Sequence, residues 1–191
     1  MGLARRYAEN EVSRLLKKSE DATVAGSGGQ GHSEGLHELR AVGAGRKSTT
    51  VDDLRGRLLI EHKSETSAFD GTQVEAVTFA LNSSSGLNAL TILANKSVAS
   101  VMVFISVAGQ NFRMVRATRA SGPVRPGLVD INICQWEPAT VSHVAMKLMK
   151  DGDALHIRTA YPMADPPKNC TAQQSLARYQ PSGGMAQSHE I

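Results

Sequence analysis

The spacing of the hydrophobic positions changes near residue 96 and divides the chain into a helical part and a β part. Residues 3–19 place apolar side chains among charges at helical spacing, which predicts an amphipathic helix. The segment VAGSGGQG, residues 24–31, predicts a linker. We expect the opening helix either to dock on the following domain or on a partner, or to be the remnant of a delivery region.

Two segments between the linker and residue 96 carry start signals typical of helices. TTVDDLRGRLL offers Thr50 as an N-cap and places Asp52 and Asp53 in the first turn, where the helix dipole favours acidic side chains. DGTQVEAVTFALN has Asp70 followed three residues later by Gln73, which predicts a capping box. GLNALTILAN predicts another short helix.

After residue 96 the pattern is that of strands. SVASVMVFISV is rich in β-branched residues, and FRMVRAT and GLVDINICQW follow it. An Asp-Gly pair at 151–152 separates VSHVAMKLMK from ALHIRTAYP, which predicts a β-hairpin. Helices followed by antiparallel strands predict an α+β domain. The polar stretch after Pro162 predicts a flexible tail.

The last predicted strand changes character along its length. With a period of two residues, Leu155, Ile157, Thr159 and Tyr161 would share one face. The core-facing side would then pass from apolar to hydroxyl-bearing as the strand ends. Hydroxyls at such a rim are well placed to line a cleft, and the alternative is that Thr and Tyr simply favour strands.

Composition limits the classes of function. The chain has 191 residues, of which 41% are hydrophobic and 20% charged, as expected for one domain with appendages. Only 4% are aromatic, which argues against stacking platforms for single-stranded bases. Cys134 and Cys170 form neither a disulfide framework nor a zinc motif. We expect no signal peptide and no stable membrane association, because no segment has the required apolar length.

A basic stretch lies within residues 112–126, where four arginines occur without an acidic residue. Three of them, Arg113, Arg116 and Arg119, are candidate RNA-binding residues. The stretch predicts either a solvated strand and loop or a patch that attracts phosphate. The net charge of +3 permits a nucleic-acid partner without requiring one.

The segment QGHSEGLHELR contains two histidines, His32 and His37. A separation of five residues turns a helix by about 140°, so a regular helix cannot bring both onto one metal ion. We therefore predict no metal and no cofactor. His32 lies where a helix would begin, which suits a cap or an orienting role. His37 would face either the core or a cleft.

A histidine that acts on a phosphodiester needs further groups. Charge on the phosphorane calls for a cation with fixed donors, which arginine supplies best. A hydroxyl can hold a phosphate oxygen or donate to the leaving group. The chain offers candidates of both kinds: Arg40, Arg46, Arg55, Arg57, Thr159 and Tyr161. RNA brings its own nucleophile in the 2′-hydroxyl, so such a reaction needs no metal.

Four motifs, GHSEGLH (31–37), TTVDDLRGRL (49–58), SAF (67–69) and TAYP (159–162), resemble in content and order the RNase A-like toxin domain of bacterial contact-dependent growth inhibition systems. The resemblance implies an α+β, RNase A-like fold without disulfides, in which N-terminal helices precede a twisted antiparallel sheet. It divides the chain into a helix and Gly-rich linker at 1–27, the toxin domain at 28–163 and a flexible tail at 164–191.

The resemblance also implies a function. It is that of a metal-independent ribonuclease toxin that cleaves RNA by transphosphorylation through the 2′-hydroxyl, with tRNA among the candidate substrates. Such a toxin is delivered from the producer cell into the cytoplasm of target bacteria and is neutralised by a cognate immunity protein. We expect a monomer or a toxin–immunity heterodimer.

The resemblance assigns the catalytic residues by motif position. They are His37, Arg57, Thr159 and Tyr161, with His32 in support. The segment between the second histidine and Thr49 is longer than is usual in the family, so Arg55 is an alternative to Arg57. The group that complements His37 is either Tyr161 or His32.

Two other readings of the sequence stay open. Arg57, then Ser67 in SETS, then Glu137 in QWE follow the order of an ADP-ribosyltransferase toxin, although that order leaves His37 and TAYP unexplained. The third reading is a non-catalytic module whose basic stretch binds nucleic acid or an acidic partner.

Overall fold

The structure, a computed structural model, describes residues 2–22, 24, 31–40, 46–60, 65–119, 134–165, 178–181 and 189–190. The helices in these residues are α1 (Glu9–Asp21), α2 (Ser33–His37), α3 (Val51–Ile60), α4 (Gln73–Asn82) and α5 (Ser84–Ala94). The strands are β1 (Glu65–Phe69), β2 (Val98–Ser106), β3 (Arg113–Arg119), β4 (Cys134–Thr140), β5 (His143–Asp151), β6 (Ala154–Met163), β7 (Arg178–Pro181) and β8 (His189–Glu190).

The strands form two antiparallel sheets. One has three strands in the order β1-β3-β4, and the other has five in the order β6-β5-β2-β7-β8. The predicted α+β class is confirmed, and the strands divide between two sheets where the sequence predicted one. The described residues contain no disulfide, and Cys170 lies outside them.

The β5–β6 hairpin is confirmed where the Asp-Gly pair predicted it. Its turn places Gly152 at φ 61°, in the left-handed region that glycine adopts without strain. The two strands then pair from Asp151–Ala154 out to His143–Met163. This hairpin forms one end of the five-stranded sheet. One edge of β6 is therefore not paired with another strand of that sheet and can contact other elements of the chain.

The main hydrophobic core lies between one face of the five-stranded sheet and the helices α1, α4 and α5. Val101, Val103 and Ile105 of β2 alternate with side chains of the opposite face, and all three are buried in this core. Val12 and Leu16 of α1 are fully buried in the same core. Of the alternatives for the opening helix, the structure therefore has it docked on the domain.

A β-bulge in β6 corrects the predicted face of Thr159 and Tyr161. Leu148 pairs with Ile157, yet Lys147 pairs with Thr159, so Arg158 is an extra residue in the strand. The bulge shifts the alternation by one residue. Thr159 and Tyr161 consequently leave the face of Leu155 and Ile157 and join the opposite face. The prediction that they share the core-facing side was wrong, because a strict period of two cannot anticipate a bulge.

The face of the five-stranded sheet that carries Thr159 and Tyr161 is here called the outer face. Its members are fixed by the cross-strand pairs Lys147–Thr159, Ala145–Tyr161 and His143–Met163 of β5 and β6, with Met102, Phe104 and Ser106 continuing it on β2. Ala145 is fully buried without belonging to the main core, as expected of a small residue between Tyr161 and Phe104.

The helix starts differ in how well the sequence predicted them. At α3, the Asp53 amide donates to Thr50 Oγ1 and the Thr50 amide donates to Asp53 Oδ2, so Thr50 caps the helix as predicted. At α4, the amide of Gln73 donates to Glu38 Oε2. The predicted Asp70 cap was wrong, because Asp70 forms an ion pair with Arg40.

Strand β1 was not predicted, because residues 32–96 read as helical throughout. Its five residues, ETSAF, carry little strand pattern. The strand exists by pairing with β3 over its whole length, from Glu65–Thr118 to Phe69–Met114. Tertiary pairing thus overrides a weak local preference.

The structure describes only in part the segments at the two ends of the predicted toxin domain, residues 28–163. Residues 25–30 of the linker lie outside the described residues. Within the segment 164–191, expected to be a flexible tail, β7 pairs with β2 and β8 pairs with β7. Across the residues that are described, no helix is both long and apolar enough to cross a bilayer.

Candidate active site

The short helix α2 lies along the free edge of β6. The amide of His32 donates to the carbonyl oxygen of Arg158 at 3.0 Å, and Ser33 Oγ donates to the carbonyl oxygen of Ile157 at 3.4 Å. Gly31 precedes the helix at a point where any Cβ would collide with the carbonyl oxygen of Ser19. The glycine of the Gly-His motif therefore allows the chain to pass α1 closely and reach the strand.

This placement brings His37 against Tyr161. The ring centroids of the two side chains are 5.4 Å apart and the rings are inclined by 38°. The ring of His32 lies 6.1 Å from that of His37. Three titratable rings, two from the GHSEGLH motif and one from the TAYP motif, thus form a single cluster at the edge of the outer face.

The orientation of His37 is set by β1. Its Nδ1 lies 3.2 Å from the carbonyl oxygen of Ser67. A carbonyl oxygen can only accept, so Nδ1 carries the hydrogen and Nε2 is the basic nitrogen of the neutral ring. Ser67 is itself held in place, because its Oγ donates to the carbonyl oxygen of Pro162 at 2.7 Å. Ser67 therefore links His37 to the end of the strand that carries Tyr161.

Thr159 and Tyr161 bring two hydroxyls to the same face. Burial raises the pKa of Tyr161, so the phenol stays protonated near neutral pH and acts as a donor. Thr159 Oγ1 is buried, and it has no hydrogen-bond partner among the described residues. A buried hydroxyl without a partner is costly unless something else fills that role.

Arg57 was expected to bind the scissile phosphate, and the structure gives it protein partners beside His37. Its side chain is buried, with 6% exposed. Nη2 donates to the carbonyl oxygen of Leu36 at 2.5 Å and to Thr49 Oγ1 at 3.1 Å. Arg57 thereby fastens the last turn of α2 to the start of α3. The side chain of its alternative, Arg55, lies outside the described residues.

Buried carboxylates hold the helices around the site in place, and the sequence did not predict this role. Glu38 accepts hydrogen bonds from the amides of Arg40, Gly71 and Gln73, so one carboxylate ties the end of α2 to the start of α4. Burial is the largest influence on this carboxyl group and raises its pKa. In the sequence, the feature that could have pointed to Glu38 was its position directly after His37.

A second buried carboxylate, Glu34, joins α1 to α2. It forms an ion pair with Arg46, and both side chains are almost fully buried. Its amide donates to Glu20 Oε1 at 2.6 Å. Burial raises the pKa of both glutamates, and Arg46 opposes this rise at Glu34. Arg46, a candidate phosphate ligand in the sequence, is therefore committed to an ion pair inside the protein.

One arginine of the basic stretch, Arg116, is engaged by carboxylates within the protein. Arg116 donates to Glu137 through Nε at 2.8 Å and to Asp165 through Nη1 at 2.7 Å. These two carboxylates neutralise it from outside the stretch. Arg113 is exposed at the start of β3. The side chain of Arg119 and all of Arg125 lie outside the described residues.

The residues of the ADP-ribosyltransferase reading are engaged separately. Ser67 donates to the Pro162 carbonyl oxygen, Glu137 pairs with Arg116, and Arg57 is buried against Leu36. Ser67 and Glu137 share a face of the three-stranded sheet, but Arg116 of β3 stands between them.

No cluster of three or more His, Cys, Asp or Glu side chains that could hold a metal occurs within the described ranges. In comparisons with known proteins, the chain matches no protein family, no curated protein and no solved structure. The functional argument therefore depends on the side chains that the fold brings together and on the chemistry they allow.

Proposed function

We propose that the protein is a metal-independent ribonuclease that cleaves RNA by transphosphorylation. The observation that carries the proposal is the contact between His37 and Tyr161, which are distant in sequence and whose ring centroids lie 5.4 Å apart. A basic imidazole nitrogen and a protonated phenol side by side can serve as a base and an acid. Thr159 adds a hydroxyl without a protein partner on the same face.

In the proposed reaction, His37 Nε2 removes the proton of the 2′-hydroxyl. The 2′-oxygen forms a bond to phosphorus, the bond from phosphorus to the 5′-oxygen breaks, and the phenol of Tyr161 donates its proton to that leaving oxygen. The products are a 2′,3′-cyclic phosphate and a free 5′-hydroxyl. Proton exchange with solvent then restores both side chains.

The other residues have supporting roles in this proposal. Ser67 and Arg57 fix the tautomer and the position of His37 through the contacts described above. His32, whose backbone amide is anchored on β6, places its ring beside that of His37 and limits the movement of the His37 ring. Between Tyr161 and His32, we choose the phenol as the complement to His37, because the Tyr161 ring lies nearer to that of His37, at 5.4 Å against 6.1 Å.

The test is incubation of the purified full chain with total RNA in excess chelator. We expect cleavage with cyclic phosphate ends, and His37→Ala should lower the rate by about 10² to 10⁴-fold. His189→Ala is the matched control, since β8 lies at the opposite edge of the sheet from β6. Cleavage that requires a divalent metal, or that survives His37→Ala unchanged, would contradict the proposal. Consumption of NAD with intact RNA would favour the transferase.

The toxin role is part of the same proposal and is supported by the order of the four motifs. In it, the protein acts in the cytoplasm of target bacteria and a cognate immunity protein neutralises it in the producer. Inducible expression in a bacterial host should arrest growth with the wild-type chain and not with His37→Ala. Equal growth arrest by both would separate toxicity from the proposed chemistry.

A further inference from the structure

The proposed reaction lacks one component, a cation at the scissile phosphate. Negative charge builds on the phosphate oxygens in the transition state and must be met by fixed positive charge. Arg57 donates to Leu36 and Thr49, and Arg46 is paired with Glu34. Arg40 is paired with Asp70. These three arginines are thus engaged within the protein, and the side chain of the fourth candidate, Arg55, lies outside the described residues.

Lys147 of β5 lies on the outer face directly opposite Thr159. Side chains of such a cross-strand pair have Cβ atoms about 5 Å apart, and the diagonal neighbour is about 7 to 8 Å away. Tyr161 is that diagonal neighbour, because it pairs with Ala145, two residues before Lys147. The ring of Tyr161 in turn contacts His37. Lys147, Thr159, Tyr161 and His37 are therefore contiguous.

The ammonium group of Lys147 has no counter-ion in the described part of the chain. Neither a hydrogen bond nor a salt bridge engages it there. Burial lowers its pKa, and the nearby guanidinium of Arg158 lowers it further, with no carboxylate acting in the opposite direction. The positive charge of Lys147 at this half-buried position favours a bound anion.

The bulge explains how this arrangement arises. If Arg158 were paired regularly and the strand had no bulge, Thr159 and Tyr161 would project toward the core, on the face of Ile157. The bulge turns both hydroxyls to the face of Lys147 and leaves Thr159 Oγ1 buried without a partner in the described residues. A phosphate oxygen would accept from that hydroxyl while another accepts from the ammonium group.

We propose that Lys147 and Thr159 form the subsite that binds the scissile phosphate of the substrate, with Lys147 supplying the positive charge. The identity of the substrate as RNA rests on the proposed ribonuclease function. Binding of an anion to the subsite is tested by a measurement that does not depend on enzyme activity.

The first measurement is an NMR titration of the full chain with inorganic phosphate. We expect saturable shifts of the amides near Lys147, Thr159 and Tyr161, with affinity at least about tenfold weaker in Lys147→Gln. Lys150→Gln is the matched control, because it removes the same charge from the same strand but on the other face. Equal phosphate affinity of the wild type and Lys147→Gln would overturn the inference. Lys147→Met, which keeps the aliphatic stem, decides by the same criterion if the glutamine variant does not fold.

The second measurement is steady-state cleavage of an RNA oligonucleotide. Lys147→Gln should lower kcat/KM by about 10- to 100-fold, and Lys147→Arg should recover part of the loss. Thr159→Val should lower it about fivefold and Thr159→Ser should restore it. Unchanged kcat/KM in Lys147→Gln would overturn the subsite while leaving the ribonuclease intact. No cleavage by the wild type, with phosphate binding that depends on Lys147, would overturn the ribonuclease and leave the subsite.

Discussion

At the scale of single residues, the two histidines of the GHSEGLH motif have different surroundings. His37 has one ring nitrogen directed at the Ser67 carbonyl oxygen and its ring against Tyr161, while His32 is anchored through its backbone on β6. Their separation by five residues had already excluded a shared metal on a regular helix. His37 contacts β1 and the end of β6, and this tertiary contact distinguishes it from His32.

Arg57 gives a prediction that separates a positioning role from phosphate binding. Arg57→Ala removes the donor to the part-buried Leu36 carbonyl oxygen and to Thr49 Oγ1, and the second of these hydrogen bonds is buried, so we expect a loss of about 1 to 3 kcal/mol in unfolding free energy. Because the last turn of α2 loosens, kcat should fall while KM changes little. Urea unfolding and steady-state cleavage measure the two effects.

Arg14→Ala is the control for Arg57→Ala, since Arg14 is exposed on α1 and donates to Asn10 in its own helix. A rise in KM without any loss of stability would instead place the Arg57 guanidinium on the substrate phosphate, as the motif alone implied.

At the scale of elements, α1 is fastened to β6 through a buried histidine. His156 is 3% exposed, and its Nδ1 lies 3.4 Å from Ser19 Oγ of α1. Burial is the main cause that lowers its pKa below 6.5; Lys18 and Arg158 lower it further and Asp151 opposes them. The neutral form is therefore the one that fits between helix and strand.

The lowered pKa of His156 predicts an acid-sensitive contact. A folded-state pKa below the unfolded value means that this stability is present above about pH 6.5 and is lost as the pH falls through the folded pKa. Unfolding free energy should therefore decrease on acidification from pH 7 to 5. His156→Leu removes the titrating group. The Nε2 atom of His156 has no hydrogen-bond partner among the described residues, so the substitution breaks no hydrogen bond at that atom. The variant should show a flatter profile over this range.

The comparison that matters for His156 is the difference between the two pH profiles, because Glu34 and Glu38 have raised pKa values and act in the opposite direction. Their contribution is greatest at low pH and declines as the pH rises through their folded pKa values. Parallel profiles for the wild type and His156→Leu would show that the contact between α1 and β6 does not depend on the charge of His156.

At the scale of the whole molecule, one core joins the opening helix to the five-stranded sheet. Leu16 of α1 is fully buried in the same cluster as Leu81 of α4 and Val103 of β2. The linker composition at residues 24–31 suggested a separable segment, whereas the buried face of α1 makes it part of the folded unit.

Leu16→Ala tests this unity. Removing a fully buried leucine should cost about 2 to 5 kcal/mol of unfolding free energy, in a single transition that also reports on the sheet. Near-ultraviolet and far-ultraviolet circular dichroism during urea unfolding should give coincident curves. Asn10→Ala, exposed on the same helix, should change the free energy by less than about 0.5 kcal/mol. A loss confined to the helical signal would make α1 an accessory element.

The sequence by itself determined the elements whose signals are local. The amphipathic pattern of α1, the Thr50 cap of α3 and the Asp-Gly turn of the β5–β6 hairpin each depend on neighbouring residues, so the period or the turn chemistry was sufficient. The same holds for the α+β order of the chain. The motif spacing also selected the segments that the fold brings together, since GHSEGLH and TAYP supply His37 and Tyr161.

Only the tertiary structure decided which faces these segments present. The bulge at Arg158 reverses the face of Thr159 and Tyr161, β1 exists because β3 pairs with it, and Arg57 and Glu38 are drawn inside to hold the ends of α2 and α4. Each depends on partners far away along the chain, and neither hydrophobic period nor local propensity contains that information. For the same reason Lys147, inconspicuous in the sequence, lies directly opposite Thr159 at the proposed phosphate site.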